Sequence, residues 1–171
     1  MNWYKRAQQK CSGCLMVPLD SELSKKIKNW GKKYIPSSSL HPKEGRETNN
    51  HITLLYGICT TNEDVVREIF EERKPIKAKL GKIGYFRSSD EFDVVIIKVE
   101  SEDLKKKHKE VCDTLNVKKT FDEYKPHCTI AYVKKGEAAK YAGDTTFDGI
   151  ELEFKKVIFS DKDKKKTEIR L

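Results

Sequence analysis

The sequence predicts an α+β domain of two similar sheet-and-helix lobes facing a central cleft, and three observations carry that expectation. Strand-like runs and helix-like stripes alternate along most of the 171 residues. A phrase is written twice: His51-Ile52-Thr53-Leu54-Leu55-Tyr56 recurs as His127-Cys128-Thr129-Ile130-Ala131-Tyr132, with His, Thr and Tyr in one register. Each copy sits in a β-branched, aromatic-rich segment that reads as a strand, and each follows a strand and a helix. The expectation is one domain across residues 1–171 with two pseudo-symmetric lobes.

Taken in order, Cys14 to Leu19 reads as a first strand. Asp20 or Ser21 then caps a helix to about Tyr34, whose stripe is Leu23, Ile27, Trp30 and Tyr34. Pro36 to Asn50 is a long polar loop leading directly into His51, of the kind that often serves as a lid. After strand His51–Ile58, Thr60 and Glu63 suit a capping box, with Val65, Val66, Ile69 and Phe70 on the inner face and Pro75 as the stop. Ile76, Ala78 and Leu80 alternate with lysines as a half-exposed strand. Phe92 to Val99 is an apolar run suited to a strand buried on both faces. Ser101 caps a third helix with Leu104, His108, Val111, Cys112 and Leu115 on its stripe. The second motif strand, His127 to Val133, precedes a short helix around Glu137–Ala142 closed by Gly143. Strands at Ile150–Phe159 and Thr167–Leu171 flank the lysine-rich turn Asp161–Lys166.

Charged residues make up 36% of the chain, with 35 basic against 27 acidic side chains and a net charge of +8. That balance suits an anionic partner such as a nucleotide or RNA, although lysine runs alone are ordinary solvated surface. No apolar stretch approaches the ~20 residues that span a bilayer. Met1-Asn2-Trp3-Tyr4-Lys5-Arg6 lacks the apolar core of a signal peptide. Five cysteines, several within apolar patterns, argue against a disulfide framework and for the reducing cytoplasm. Cys11-Ser12-Gly13-Cys14 has the spacing of half a zinc site, but no second pair follows, so these read as structural thiols.

On a strand, residues two apart share a face, so His51 and Thr53 point one way, as do His127 and Thr129. By the same parity Tyr56 and Tyr132 point away and read as core. Two imidazoles across a cleft can act as base and acid in one displacement at phosphorus, since an ordinary imidazole titrates near ~6.5. Thr53 and Thr129 can donate to the oxygens where charge builds up. The chemistry calls for no metal and no cofactor.

These repeated His-x-Thr phrases resemble the two motifs of the 2H phosphoesterase family. Lys125-Pro126-His127-Cys128-Thr129-Ile130 is similar to its second motif and His51-Ile52-Thr53-Leu54-Leu55-Tyr56-Gly57 to its first. The resemblance implies a bilobal fold and metal-independent cleavage of nucleotide phosphodiesters. The approach Gly-Arg-Glu-Thr-Asn-Asn to His51 is similar to the viral anti-CBASS branch, phage enzymes that destroy cyclic oligonucleotide alarm signals, which implies the host cytoplasm. The RNA ligase-like branch implies instead a 2′,3′-cyclic phosphodiesterase acting on RNA ends. From a different class, a silent nucleotide- or RNA-binding module would keep the cleft without turnover. The expected partner is therefore a cyclic nucleotide, a cyclic oligonucleotide or an RNA end, with no obligatory protein partner.

Four further residues are candidates for substrate binding. Lys125 shares the parity of His127, and Arg46 approaches from the loop, so both are candidate phosphate contacts. Tyr85 and Phe86, after Gly84, are candidate base-stacking rings. His108 reads as a partly buried structural histidine and His41 as an exposed loop residue.

Overall fold

The computed structural model describes residues 11–87, 90–118 and 122–171, so the Met1–Arg6 segment lies outside the described residues. Eight strands form: β1 Gly13–Pro18, β2 His51–Ile58, β3 Ile76–Phe86, β4 Phe92–Glu100, β5 His127–Lys134, β6 Glu151–Phe154, β7 Lys156–Ser160 and β8 Lys166–Arg170. The helices are α1 Ser21–Tyr34, α2 Glu63–Glu68 and α3 Glu102–Thr114.

Two of the helix starts follow the sequence signals. The Asp20 carboxylate accepts from the Leu23 amide at 2.9 Å, and the Ser101 hydroxyl accepts from the Leu104 amide at 3.0 Å. Each satisfies one orphan donor of a first turn. The third does not. Asn62 caps α2, and Glu63 turns away to accept from the Thr167 hydroxyl at 2.7 Å, so no capping box forms. Helix α2 also ends at Glu68, well short of Pro75, though Val66, Ile69 and Phe70 are still buried.

Instead of two separate sheets, the strands form one sheet in the order β6-β3-β4-β5-β2-β1-β7-β8, with every neighbouring pair antiparallel. The two motif strands meet at its centre through one register pair, Ile52 with Cys128, with three further strands on either side. The predicted single strand Ile150–Phe159 breaks at Lys155. Its first part pairs with β3 at one edge and its second with β1 in the other half. Successive Cα atoms lie only ~3.8 Å apart, so the sheet has to curl until the end of β6 meets the start of β7. The predicted helix at Glu137–Ala142 shrinks to a 3-10 turn, Ala139–Tyr141.

One face of the sheet carries the core. Leu15, Val17, Ile52, Leu54, Ile97 and Cys128 pack there against Leu23, Ile27 and Trp30 of α1 and Leu104 and Val111 of α3. Each such aliphatic side chain contributes about 1.5–3 kcal/mol through burial. Helix α1 crosses closely at Gly31, where an added Cβ would lie 3.2 Å from Ile130 Cγ2. No helix among the described residues is long and apolar enough to cross a membrane.

The cysteines depart from the expected free thiols, because Cys11 and Cys59 form a disulfide. Pairing of β1 with β2 sets Gly13 opposite Ile58, which carries the two flanking cysteines together just beyond the ladder. Cys14, Cys112 and Cys128 remain thiols.

Candidate active site

The β2–β5 junction assembles the motif residues into one quartet. Extending the Ile52–Cys128 register by one residue sets His51 across from Thr129 and Thr53 across from His127. Facing residues of an antiparallel pair share a side, with Cβ atoms ~5 Å apart and diagonal partners ~7–8 Å apart. The two histidines thus stand on one diagonal and the two threonines on the other, on the face opposite the core. All four are half-buried.

Both imidazoles are held in the same way. His51 Nδ1 lies 2.6 Å from the Asn49 carbonyl, and His127 Nδ1 lies 2.7 Å from the Lys125 carbonyl. A carbonyl can only accept, so Nδ1 carries the proton and Nε2 is left free for chemistry. The environments then diverge. Phe86 packs edge-on against His127, with ring centroids 4.8 Å apart at 86°. Burial holds the His127 pKa below the ordinary value; the Lys125 carbonyl partly opposes this, and the nearby His51 adds to it.

A matched irregularity overturns the expected place of the tyrosines. Register shifts in the β1–β2 and β4–β5 ladders leave Leu54 and Ile130 as bulged residues, so Met16 pairs with Thr53 but Cys14 with Tyr56, and Ile96 pairs with Thr129 but Val94 with Tyr132. One extra residue reverses the parity beyond it. Tyr56 and Tyr132 therefore share the face of the histidines, not the core. Tyr56 is 48% exposed. Tyr132 bonds to the Thr129 side chain and packs edge-on to Phe92 at 5.6 Å; burial and the charges of Glu47 and Glu44 raise its pKa. Sequence alternation alone gives no sign of these bulges.

Each bulge is satisfied from outside the ladder. The Tyr124 hydroxyl donates to the Thr53 carbonyl at 2.9 Å, and His108 Nδ1 donates to the Leu54 carbonyl at 2.7 Å. Those two rings stack at 4.1 Å and 2°. On β5, the loop before β2 runs alongside as an extra edge: Glu47 N donates to Ile130 O, and Tyr132 N donates to Gly45 O. The buried Asn50 side chain donates to the Thr129 carbonyl at 3.2 Å. The 36–50 loop is thus docked on the motif strand, and His41 packs within it against Phe92 at 5.3 Å.

The other sequence candidates scatter. Phe86 reaches His127. Tyr85, one residue earlier, pairs with the buried Val95 and packs towards the core, with Arg87 over its ring. The Arg46 guanidinium turns to the opposite face and donates to the Ile35 carbonyl at 2.6 Å. Lys125 contributes its carbonyl to His127, while its ammonium pairs with Glu123 at 3.2 Å. Cys14 lies opposite Tyr56 and against Thr53, and burial pushes its thiol up to about 11. Among the described residues no group of three or more His, Cys, Asp or Glu is placed to hold a metal ion.

The fold and this doubled His-Thr face define a class. Residues 19–163 match the 2′-5′ RNA ligase superfamily, and the chain belongs to it, a 2H phosphoesterase. No curated protein matches the chain. Among solved structures, TT0787 of Thermus thermophilus superposes with a TM-score of 0.60 at 17% identity, covering 94% of both chains. Kluyveromyces marxianus Usb1 gives 0.60 at 12% identity, over 95% of this chain and 99% of that one. E. coli LigT complexed with 3′-AMP gives 0.57 at 14%, over 94% of both. At these identities the likeness shows the fold.

Proposed function

We propose that the chain is a metal-independent phosphodiesterase that opens a phosphodiester bond of a cyclic nucleotide or cyclic oligonucleotide. The observation that carries this reading is the pair of Nε2 atoms presented on one diagonal of a His-Thr quartet, each fixed by a carbonyl two residues upstream. In-line displacement needs a base on one side of phosphorus and an acid on the other. His127, kept neutral by burial, takes the proton from the attacking water as its oxygen bonds to phosphorus. His51 gives a proton to the leaving oxygen as the opposite P–O bond breaks. Thr53 and Thr129 donate to the non-bridging oxygens. The imidazoles then exchange protons with solvent, and the net reaction consumes one water.

The Gly45–Asn50 approach to His51, the exposed Tyr56 and the half-buried Phe86 against His127 support a cyclic oligonucleotide, and with it a viral anti-CBASS role. Stacking of a base on an aromatic side chain is worth about 1–3 kcal/mol. A 2′,3′-cyclic phosphate at an RNA end is the second reading. It is favoured by the nucleoside monophosphates in the neighbours, 3′-AMP in E. coli LigT and uridine monophosphate in K. marxianus Usb1. We also read the chain as a single domain of two pseudo-symmetric lobes. The units β1-α1-β2 and β4-α3-β5 support this, since each runs strand, helix, antiparallel motif strand.

The test incubates the protein, in excess chelator, with cyclic di- and trinucleotides and with cyclic-phosphate-ended RNA. Turnover of one class is expected, lost in both His51→Ala and His127→Ala with folding verified. Binding without turnover would mean a silent module, and turnover restored only by a divalent ion would refute the metal-free chemistry.

A further inference from the structure

We propose that Lys98 is the cation that holds the substrate phosphate beside His127. The proposal rests on the phosphodiesterase reading above and names a group that the sequence motifs do not contain. Lys98 is the register partner of His127 in the β4–β5 ladder, so it stands on the same face, one strand across. The neighbouring strand β3 is bare where the lysine stem lies. A Cβ at Gly84 would fall 2.8 Å from Lys98 Cε, and one at Gly81 would fall 3.5 Å from Lys98 Cβ. The two glycines leave a trough on β3 for the stem, next along that face to Phe86, whose ring packs on His127. The ammonium is exposed, and no carboxylate of the described residues pairs with it.

The chemistry needs such a charge. The phosphoryl group carries negative charge throughout the displacement, whereas both threonines are neutral donors and the base histidine starts neutral. Of the cations singled out by sequence, Arg46 donates to the Ile35 carbonyl, and the Lys125 ammonium lies at the surface beside Glu123. Lys98 is left free to meet a phosphate oxygen, and a lysine does so as a point charge on a flexible stem.

The test compares Lys98→Gln, Lys98→Arg and Gly84→Ala with wild type. The first readout is kcat/KM at low and high ionic strength on the substrate found above; the second is binding of inorganic phosphate followed by NMR. Lys98→Gln keeps an N–H donor on a stem one atom shorter and removes the charge. It is expected to lower kcat/KM by about 10- to 100-fold, as for a hydrogen bond to a charged group, and to flatten the salt dependence. Lys98→Arg should restore most of the loss. Gly84→Ala should lower kcat/KM in the same direction by displacing the stem, and should add little on top of Lys98→Gln. Wild-type kcat/KM in Lys98→Gln, while His51→Ala is inactive, overturns the role of Lys98 and leaves the phosphodiesterase reading standing. If wild type turns over none of the substrates, the phosphodiesterase reading falls instead, and if His51→Ala keeps full turnover, the two-histidine mechanism falls. Phosphate binding then decides Lys98 by itself: equal affinity in wild type and Lys98→Gln overturns the proposal, and weaker affinity in Lys98→Gln supports it.

Discussion

Replacing Tyr124 by phenylalanine removes one hydroxyl and leaves the ring stacked on His108, which makes it a clean probe of how β2 is held. The hydroxyl donates to the Thr53 carbonyl at 2.9 Å, next to the Leu54 bulge, where β5 supplies no ladder partner. It is well buried, and desolvation raises its pKa far above that of an ordinary phenol. Deleting it forfeits a net ~1 kcal/mol hydrogen bond and exposes a partly buried carbonyl to a further desolvation penalty, about 1–3 kcal/mol in all. For a chain of this size the melting temperature should fall by about 2–12 °C. Thr53 sits on that peptide, and a shift approaching ~1 Å in a positioning group costs up to ~100-fold in rate. The assay is a thermal melt paired with kcat on one substrate. Lower stability is expected together with lower kcat, and His108→Ala should combine with Tyr124→Phe less than additively, because both act on one bulge. An unchanged melt with unchanged kcat would falsify the idea that these side chains hold the motif strand. Lost stability with kcat intact would sink the coupling to Thr53.

The remaining expectations are smaller. Phe86→Ala admits water to His127, so its imidazole should titrate at higher pH by NMR; a fall or no change would remove Phe86 as the cause of desolvation. Because the folded-state pKa of His127 is depressed, its contribution to stability is present above the ordinary value near ~6.5 and is lost as pH falls towards the folded value. The wild-type melting temperature should decline across that acid window, and His127→Gln should decline less. Tyr56→Ala should raise KM or lower kcat/KM by about 5- to 100-fold while Tyr56→Phe stays near wild type, the signature of a stacking ring; equal losses in both variants would point to the hydroxyl. The Cys11–Cys59 bond closes a separation of 48 residues. Loop entropy makes this worth about 4 kcal/mol, so reductant should lower the melting temperature of wild type but not of a Cys11→Ser, Cys59→Ser variant.

Much of the candidate catalytic face is legible in the chain because strand alternation is a local property. His51 with Thr53, and His127 with Thr129, share a side in any strand that holds those residues. The caps at Asp20 and Ser101 are equally local, since each needs only a side-chain oxygen and an amide three residues on. The buried run Phe92–Val99 announces a central strand through composition alone. Where local reading fails, a distant segment has intervened. Glu63 leaves its capping role because Thr167 on β8 competes for the same carboxylate.

The repeated His-x-Thr strands, the two well-capped helices and the face shared by the motif histidines and threonines can thus be read from the chain alone. Only the tertiary structure decided what surrounds them. The bulges at Leu54 and Ile130 arise from ladders with β1 and β4, and they bring Tyr56 and Tyr132 onto the face that alternation denied them. Lys98 comes to His127 through a register that no spacing in the chain reveals, and Arg46 is drawn away by a carbonyl at the end of α1. Ile150–Phe159 reads as one strand, yet it turns at Lys155 because its two parts complete opposite halves of a curled sheet. The division has one physical reason. Parity and capping depend on bonds between near neighbours in the chain, whereas bulges, register and side-chain partners depend on which strands meet after the sheet has closed.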